Sequence, residues 1–390
     1  MEQILYRYNP WWESEFNPKE LFLRPLLMRN LESILASKDI IFFTGLRRIG
    51  KTSLLKIIIH YLINKKGINS KNIFYVSLDD YLLAKESIVN IIDEFRKIQK
   101  LRFSDKIFLF LDEIGYKQNF EIQLKNIYDT QNTKIFASTS NSFHLRSKSS
   151  FITGRHKTIE VAPLDFQEYL LFKNISISKK EGYLLEKYFL EYLYTGGIPE
   201  FVLRGEIEYL KELVDDIIMK DIAAQHNVRS IALLKDFFLL LMERVGKVFS
   251  INKLANILKI SPDTAKRYLE LFNSSYLIHL LPRAGKTNEV ILSAKKIYAA
   301  DLGIKTLFTG FKDKGNLFEN YVYLKIKDRN PAYVYKDGTE IDFLTEDKTL
   351  IEVKYNSELT KAQSKLFSEF KSKDKIIIKS YNDLKKIEID

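Results

Sequence analysis

A glycine-rich segment at residues 45–52 constrains the fold more than any other part of the chain. It reads Gly-Leu-Arg-Arg-Ile-Gly-Lys-Thr, follows an apolar run at residues 40–43, and precedes residues 53–59, which have the composition of a helix. A strand, a glycine loop and a helix in this order predict a phosphate-binding loop, because glycine lets the backbone approach an anion and the helix N-terminus is partly positive. The segment therefore predicts a buried strand, a phosphate-binding loop and a helix in succession.

In such a loop, Lys51 would reach the β- and γ-phosphates of ATP, and the Thr52 hydroxyl would ligate Mg²⁺. We therefore expect ATP or ADP and Mg²⁺ as cofactors. The predicted nucleotide contacts within the loop are Gly45, Arg48, Gly50, Lys51, Thr52 and Ser53.

Composition limits the remaining function classes. The chain has 390 residues, a net charge of +11 and no cysteine, which excludes disulfides and thiolate metal sites. Its five histidines lack zinc-ligand spacing. No run of about 18 apolar residues is present, so we expect no membrane partner, and the N-terminus lacks a signal-peptide pattern, so we expect a cytoplasmic protein.

Strands and helices alternate between residues 38 and 163, which predicts a parallel sheet flanked by helices. The apolar run at 107–111 ends in Asp112 and Glu113. A carboxylate at the mouth of a strand next to the phosphate loop can hold the Mg²⁺ water shell, which is the role expected of Asp112. Glu113 is then placed to polarise the water that attacks the γ-phosphate.

Polar residues after the next strand are candidates for binding that water. Ser140 and Asn141 are the predicted contacts, although ordinary turn chemistry explains the same residues. Arg155 precedes a further strand. It would complete the ATP site of a neighbouring subunit in a homo-oligomer, sense the γ-phosphate of its own chain, or be a plain surface charge.

Residues 164–243 read as a helical lid broken at Gly196 and Gly197. In this turn Pro199 would approach the base of a nucleotide, or the turn simply joins two helices. Residues 1–163 are accordingly predicted to form the nucleotide-binding core with an N-terminal extension.

Residues 244–305 have the pattern of a winged helix, with Ser261 and Pro262 opening the second helix. Thr264, Lys266 and Arg267 would face a DNA groove. Residues 247–300 contain nine Lys or Arg and three Asp or Glu, about half of the basic excess of the chain. DNA is the partner this charge favours. Alternatively, the basic residues only form a solvated face, and the helix pair only packs against the rest of the protein.

Residues 306–390 contain a second constellation of charged residues. The predicted order is helix, three strands, helix and strand, with Asp342 on one strand and Glu352 and Lys354 on the next. Period-two alternation places Glu352 and Lys354 on one face, where Asp342 can join them. Two carboxylates would hold Mg²⁺ while the lysine activates water at a phosphodiester, and Glu319 would add a third carboxylate. Alternatively, Lys354 only neutralises two carboxylates.

Taken together, these residues resemble a family of archaeal and bacterial AAA+ ATPases with a C-terminal nuclease-like domain of the PD-(D/E)XK type. The resemblance spans nearly the whole chain and implies a P-loop AAA+ parallel sheet, a helical lid, a winged helix and an α/β restriction-endonuclease-like domain. In one respect the chain departs from the family, which tends to have Thr-Gly-Ser where this sequence has Ser138-Thr139-Ser140. The motifs that carry the resemblance are Asn9-Pro10-Trp11-Trp12, the loop at 45–52, Leu111-Asp112-Glu113, Gly154-Arg155, Pro163-Leu164, Gly196-Gly197-Ile198-Pro199, Phe318-Glu319-Asn320, Glu340-Ile341-Asp342-Phe343 and Ile351-Glu352-Val353-Lys354.

The leading hypothesis is an ATP-hydrolysing, DNA-binding protein whose C-terminal domain cuts DNA with Mg²⁺ in DNA processing. The first alternative is a nucleotide-gated switch or scaffold in which that domain is catalytically silent. The second is a transcription regulator that uses the winged helix.

Overall fold

The computed structural model describes residues 1–17, 22, 24–28, 30–142 and 152–387. The chain divides into two compact units, Met1–Ala162 and Pro163–Asp390. The division of the chain into four domains remains a sequence-based prediction.

A parallel five-stranded sheet forms the centre of the first unit, in the order β2-β3-β4-β1-β5. Strands β1, β3 and β4 are buried along nearly their whole length, as expected for parallel strands covered on both faces. The elements are α1 (Glu2–Tyr8), α2 (Pro25–Met28), α3 (Leu31–Ala36), β1 (Ile40–Thr44), α4 (Lys51–Asn64), β2 (Ile73–Ser77), α5 (Ile88–Gln99), β3 (Ile107–Asp112), α6 (Phe120–Thr130), β4 (Thr133–Thr139) and β5 (His156–Glu160).

The N-terminal aromatic segment closes the edge of this sheet at β2. The indole N–H groups of Trp11 and Trp12 both donate to the carbonyl oxygen of Ile73, at 3.1 and 3.0 Å. The Asn9 side chain donates to the Tyr75 carbonyl at 2.9 Å and accepts from its N–H at 2.7 Å. These contacts satisfy the free backbone groups of an edge strand, which would otherwise be open to other chains.

Helices make up the first part of the second unit. A π-helix, Ile217–Ala224, interrupts them, and α12 and α13 are joined by a short turn at Lys259, whose φ is 54°. The helices are α7 (Phe166–Phe172), α8 (Leu184–Thr195), α9 (Pro199–Arg204), α10 (Ile207–Asp216), α11 (Ile231–Met242), α12 (Ile251–Leu258), α13 (Pro262–Ser274), α14 (Thr287–Leu292), α15 (Leu302–Thr309), α16 (Lys314–Ile326) and α17 (Lys361–Glu369).

Two sheets complete the second unit. One sheet is the antiparallel pair of β6 and β7. The other has four strands in the order β11-β10-β9-β8, in which β11 is parallel to β10 and the remaining pairs are antiparallel. Helix α16, strands β8–β10, helix α17 and strand β11 follow one another in the order expected from the sequence. The strands are β6 (Ile278–Leu281), β7 (Lys296–Ala299), β8 (Ala332–Lys336), β9 (Thr339–Leu344), β10 (Thr349–Val353) and β11 (Asp374–Ile378).

The two glycines between α8 and α9 allow close packing against the start of α15. A Cβ on Gly197 would lie 2.1 Å from the Leu164 carbonyl oxygen, and one on Gly196 would lie 2.4 Å from an Asp301 oxygen. The buried Asp301 carboxylate accepts hydrogen bonds from the N–H groups of Gly197 and Ile304, at 2.7 and 3.0 Å. Packing alone therefore explains why both positions are glycine.

No helix in the described ranges is both long enough and apolar enough to cross a membrane.

Candidate functional site

The loop between β1 and α4 has a backbone conformation that depends on glycine. Gly45 and Gly50 have φ values of 137° and 99°. A Cβ on Gly45 would lie 2.5 Å from the Val161 carbonyl oxygen, whereas a Cβ on Gly50 would meet no atom within 4 Å. One glycine therefore packs against β5 and its continuation, and the other leaves open space at the N-terminus of α4. Such space is what a phosphate group needs at a helix N-terminus.

Lys51, the first residue of α4, is folded back over this loop. Its ammonium donates to the carbonyl oxygens of Gly45 and Leu46 at 3.0 and 2.9 Å, and only 5% of the residue is exposed. Both acceptors are neutral oxygens. A phosphate oxygen in the loop would therefore offer this cation a stronger, charge-assisted partner.

Thr52 and Asp112 meet at the carboxyl edge of the sheet. The Thr52 hydroxyl donates to Asp112 Oδ2 at 2.6 Å, although the two residues are 60 positions apart. The sequence analysis expected this carboxylate beside the phosphate loop, and the contact with Thr52 places it there. Strand β4 lies between β1 and β3, and the two side chains meet across its end.

Two further hydroxyl groups hold the Asp112 carboxylate, and the sequence analysis missed both. Tyr75 on β2 donates to Oδ2 at 2.8 Å, and Ser138 on β4 donates to Oδ1. Burial, followed by the charge of Asp112, raises the pKa of Tyr75 well above its ordinary value, so its hydroxyl remains a donor. The sequence did contain a signal for the role of Ser138, since this residue begins the polar end of a buried strand. It contained no comparable signal for Tyr75.

Glu113 lies beside this carboxylate in a left-handed conformation, with a φ of 50°. Its N–H donates to the Ser138 hydroxyl at 3.0 Å. Its Oε2 accepts from the N–H and hydroxyl of Ser140, at 3.3 and 3.2 Å. Non-glycine residues in this conformation are uncommon and occur often at functional sites. The structure thus brings Ser140, one predicted water-binding residue, to the side chain expected to polarise that water.

Asn141, the other predicted water-binding residue, is buried, and its N–H and carbonyl groups contact the Thr139 hydroxyl at 3.3 and 3.2 Å. These contacts have the form of a local turn. They leave the predicted role of Asn141 without support from geometry.

A cavity of about 190 Å³ lies at this edge, lined by Arg48, Gly50, Lys51, Thr52, Ser53 and Glu113. It is smaller than the roughly 300–1,000 Å³ usual for ligand sites, which suits a phosphate chain rather than a whole nucleotide. The Thr52 hydroxyl lines this cavity and is bonded to the Asp112 carboxylate. Hydroxyl and carboxylate oxygens are ligands that fit Mg²⁺, which usually keeps several waters and binds substrate phosphates as well. Thr52 and Asp112 are therefore the residues that would hold this ion.

Arg155 lies at the amino-terminal end of β5, whereas the phosphate loop lies at the carboxyl ends of the strands of the same sheet. Its carbonyl oxygen accepts from the N–H of Ile40, the first residue of β1, whereas the phosphate loop follows the last. A five-residue strand separates the two ends by roughly 15 Å. The guanidinium instead pairs with Asp129 at 3.2 Å. This position contradicts a role for Arg155 in sensing the γ-phosphate of its own chain.

Pro199 is the first residue of α9 in the second unit. Proline is common at this position because its fixed φ suits the first turn. Its predicted contact with the nucleotide base remains a prediction.

In the second unit, Asp342 and Glu352 lie opposite each other on β9 and β10. The Asp342 N–H donates to Glu352 Oε2 at 3.1 Å, and the Val353 N–H donates to Asp342 Oδ2 at 2.9 Å. Glu352 Oε1 contacts the Lys354 ammonium at 3.1 Å and accepts from Gln363 Nε2 at 3.0 Å. The structure thus brings the predicted pair and Lys354 together, but protein donors already occupy both oxygens of Glu352.

Lys296 on β7 enters the same cluster, and the sequence analysis missed it. Its ammonium contacts Glu319 at 2.9 Å, Glu340 at 2.7 Å and Asp342 at 3.6 Å, and its side chain is 1% exposed. Tyr298 donates to Glu319 at 2.6 Å. No spacing in the sequence indicates these contacts, since Lys296 is 23 and 44 positions from Glu319 and Glu340.

The charges in this cluster are partly compensated within the protein, by the ammonium groups of Lys296 and Lys354. Burial lowers the pKa of Lys296, but Glu319 and the neighbouring acidic groups outweigh burial and raise it well above the ordinary value. Lys296 therefore remains a cation. Burial first, and then the charge of Glu319, raises the pKa of Asp342.

Mg²⁺ does not fit the cluster in this arrangement. An ammonium occupies the space among Glu319, Glu340 and Asp342, and the oxygens of Glu352 already have donors. Across the described part of the chain, no group of three or more acidic or histidine side chains is arranged to hold a metal ion. The predicted metal ligands Asp342 and Glu352 thus lack an open coordination position.

The predicted DNA-contacting residues lie on α13. Lys266 and Arg267 are exposed, and an Arg267 Nη2 donates to the His226 carbonyl at 2.7 Å. Thr264 is partly buried, and its N–H donates to the Ser261 hydroxyl at 3.1 Å, which caps the helix. Of the three, Lys266 is the residue whose charge faces solvent, and its ammonium has no hydrogen-bond or ion-pair partner among the described residues.

Comparison with known proteins agrees with the phosphate loop and the sheet. Residues 37–170 match a model described as an AAA domain, so the first unit contains a P-loop domain of the AAA+ class. Residues 186–315 and 314–389 match models described as domains of unknown function, DUF8612 and DUF4143.

A full-length relative places the chain in its family. The present chain is 31% identical to Uncharacterized protein MJ1544 of Methanocaldococcus jannaschii over 400 residues, which cover 94% of this chain and 88% of that protein. The chain belongs to the same family as MJ1544. A Haemophilus influenzae protein, also named uncharacterized, is 28% identical and aligns with 80% of this chain and 82% of its own length.

Solved structures give weaker similarities. The replication initiator DnaA bound to AMPPCP and single-stranded DNA is 21% identical, covering 67% of this chain and 94% of DnaA, with a TM-score of 0.31. The ORC2 protein of Aeropyrum pernix, in ADPNP and ADP complexes, is 12% identical, covering 81% and 98%, with a TM-score of 0.41. TM-scores this low do not support any inference about the present chain.

Proposed function

We propose that the first unit binds and hydrolyses ATP. The observation that carries this proposal is the 2.6 Å contact between Thr52 and Asp112 beside the open space at Gly50. It joins the start of the phosphate loop helix to the acidic end of β3, where a nucleotide-bound Mg²⁺ would be held.

In the hydrolysis step, the water oxygen forms a bond to the γ-phosphorus as the bond to the ADP oxygen breaks. Glu113 accepts the proton of the attacking water, and Ser140 holds the Glu113 carboxylate in place. Lys51 contacts the phosphates and compensates the charge that develops on them. ADP and inorganic phosphate are the products.

ATPase assays on two variants test this proposal. Lys51→Ala should abolish nucleotide binding, whereas Glu113→Gln should still bind ATP but hydrolyse it about a hundredfold more slowly. Lys65→Ala and Glu94→Gln change exposed or half-buried residues of the same unit and serve as matched controls. Equal hydrolysis by the wild type, Lys51→Ala and Glu113→Gln would show that the site is misassigned.

DNA is the proposed partner of the second unit. The pair α12 and α13, followed by the strands β6 and β7, has the order of a winged helix, and Lys266 is exposed on α13. Nine of the basic residues of the chain fall within residues 247–300, where only three acidic residues oppose them. This excess favours contact with a phosphate backbone.

Fluorescence anisotropy with labelled duplex and single-stranded DNA tests the proposed partner. Lys266→Ala should weaken binding several-fold for every sequence, since a phosphate contact carries no sequence information. Lys235→Ala, which removes a lysine paired with Asp215 in the same unit, is the control. Enrichment of one preferred sequence from a random pool would instead favour the transcription regulator.

In this proposal, the C-terminal sheet binds DNA or protein and does not cleave DNA. The element order and the Asp342, Glu352 and Lys354 constellation support a nuclease-like fold, but Lys296 occupies the space in which a metal would act. Incubation of linear, forked and junction DNA with Mg²⁺ or Mn²⁺ should therefore give no cleavage by the wild type. Cleavage that Asp342→Ala abolishes would restore the nuclease hypothesis.

Arg155 has a role in the proposed ATPase only between copies of the chain. Its position at the amino-terminal end of β5 leaves it available to the nucleotide site of a neighbouring subunit. Arg155→Ala should then lower ATPase activity in an oligomer, and mixing it with Lys51→Ala protein should restore part of that activity. An unchanged rate would leave Arg155 as the partner of Asp129 alone.

A further inference from the structure

A second cavity lies in the C-terminal unit, away from the acidic cluster. Its volume is about 330 Å³, within the lower part of the range usual for ligand sites. It is bounded by the segment that follows α11, by the last turn of α15 and by the first turn of α16. The sequence analysis predicted no ligand site among the residues that line it.

Lys305 enters this cavity from α15 as a buried cation. The residue is 5% exposed, and its ammonium makes no hydrogen bond or ion pair with any residue that the structure describes. Burial lowers the pKa of Lys305 to about 8, although Asp313 and Glu319 oppose this effect. An ammonium that faces a cavity without a protein acceptor leaves its charge to be balanced by the contents of the cavity, and an anion there would compensate it.

Asn316 presents the complementary group on α16. Its Nδ2 donates to the Val245 carbonyl at 2.7 Å, which fixes the orientation of the amide. Its Oδ1 is buried and has no partner among the described residues. Gly246 makes this contact possible, because a Cβ there would lie 1.9 Å from Asn316 Nδ2. The cavity thus contains a donor without an acceptor and an acceptor without a donor.

The mouth of the cavity is also more basic than acidic. Lys247 and Lys312 are exposed at its edge, together with Glu243 and Asp313. Asp313 is partly occupied, since its Oδ1 accepts from the Asn316 N–H at 2.9 Å. With Lys305, three lysines face two carboxylates, so the cavity attracts anions.

We propose that this cavity binds a phosphate group in its hydrogen phosphate or phosphate monoester form. The phosphate oxygens would accept from Lys305 and Lys312, and a P–OH or sugar hydroxyl would donate to Asn316 Oδ1. Such a ligand satisfies both unpartnered groups at once, which a fully deprotonated anion does not. Free phosphate and the terminal phosphate of a nucleic acid share this chemistry.

Calorimetry with inorganic phosphate tests the proposal in a Lys51→Ala background, where the phosphate loop does not contribute. This protein should bind phosphate, and Lys305→Met should weaken binding roughly tenfold or more. Lys305→Met should also leave the fold intact, because it removes a buried charge and keeps an apolar side chain of similar length. Lys314→Ala changes an exposed lysine outside the cavity and should bind as its parent does.

Two comparisons identify the ligand more closely. Sulfate has the shape of phosphate but carries no proton at neutral pH, so it should bind more weakly, and equal affinity would overturn the assignment to hydrogen phosphate. A 5′-phosphorylated oligonucleotide that binds more tightly than its 5′-hydroxyl form, only when Lys305 is present, would support a nucleic acid end as the source.

Absence of phosphate binding, or equal binding by the parent and Lys305→Met, would overturn the proposal. Water alone would then fill the cavity. The ATPase proposal is unaffected by this result, because it concerns residues of the other unit.

Discussion

Asp112 is held by three hydroxyl groups from three different elements, namely Thr52 of α4, Tyr75 of β2 and Ser138 of β4. A carboxylate that accepts several hydrogen bonds is fixed in direction, which matters at a site where an ion and its waters must be positioned. Ser138 is connected to both acidic residues, since it also accepts from the Glu113 N–H.

Ser138→Ala should therefore lower the ATPase rate about tenfold and should cost about 1–3 kcal/mol of unfolding free energy, because it leaves buried hydrogen-bonding groups without their partner. The variant removes a donor to Asp112 and the acceptor of the Glu113 N–H, and it leaves both carboxylates in place. Steady-state ATPase assays and thermal unfolding measure the two effects. Ser77→Ala, at the end of β2 and bonded to Asp79, is the control and should keep the wild-type rate.

Asp301 shows how a single buried carboxyl gives stability a pH dependence. Burial raises its pKa from 3.8 to about 6, against the effect of three backbone N–H groups. The folded protein therefore keeps this proton to higher pH than the unfolded chain does. The stability contributed by Asp301 is complete below about pH 4 and is lost as the pH rises through 6.

Asp301→Asn should remove this pH-dependent contribution. Relative to the variant, the wild type should lose up to about 3 kcal/mol of unfolding free energy between pH 4 and pH 7. Chemical denaturation of both proteins across this range provides the measurement. A constant difference between them would mean that Asp301 has an ordinary pKa.

At the scale of secondary-structure elements, strand β7 has a function that its own sequence does not indicate. It pairs with β6 and carries Lys296 to the carboxylates of α16 and β9. The β9–β10 register, by contrast, follows from local alternation, which put Asp342 and Glu352 side by side as predicted. The cation that determines what this pair can do comes from outside the sheet.

Lys296→Met should destabilise the protein by about 3–5 kcal/mol, because it leaves buried carboxylates without their cation. Added Mn²⁺ should then raise the melting temperature of the variant more than that of the wild type, since the space among the carboxylates is open. Lys325→Met, which breaks the less buried pair with Asp165, is the control. Strong Mn²⁺ stabilisation of the wild type would show that Lys296 does not exclude the metal.

For the whole molecule, the net charge of +11 acts over distances longer than any single contact. Charge attracts DNA without regard to sequence, so salt should weaken the proposed interaction. The arrangement of α12 and α13 adds a defined surface to this general attraction, with Lys266 exposed on it.

DNA affinity should fall roughly tenfold between 50 and 200 mM salt if two phosphate contacts are made, and more steeply with further contacts. Lys266→Ala should reduce the slope of log affinity against log salt by about one. Anisotropy titrations at four salt concentrations measure both slopes. A salt-independent affinity would contradict a backbone interaction.

The sequence by itself determined the parts of this protein that depend on neighbouring residues along the chain. Apolar runs specified the buried strands, glycines and Lys51 specified the phosphate loop, and alternation specified which side chains share a face in β9 and β10. Strand propensity, turn geometry and side-chain period are local properties, so they can be read without knowledge of the fold.

Only the tertiary structure decided which distant residues meet. It inserted β4 between β1 and β3, placed Arg155 at the end of the sheet opposite the phosphate loop, and brought Tyr75 and Ser138 to Asp112. It also set Lys296 among the carboxylates and left Lys305 without an acceptor among the described residues. Strand order and the burial of charge arise from packing between elements, for which the local sequence has no periodic signal.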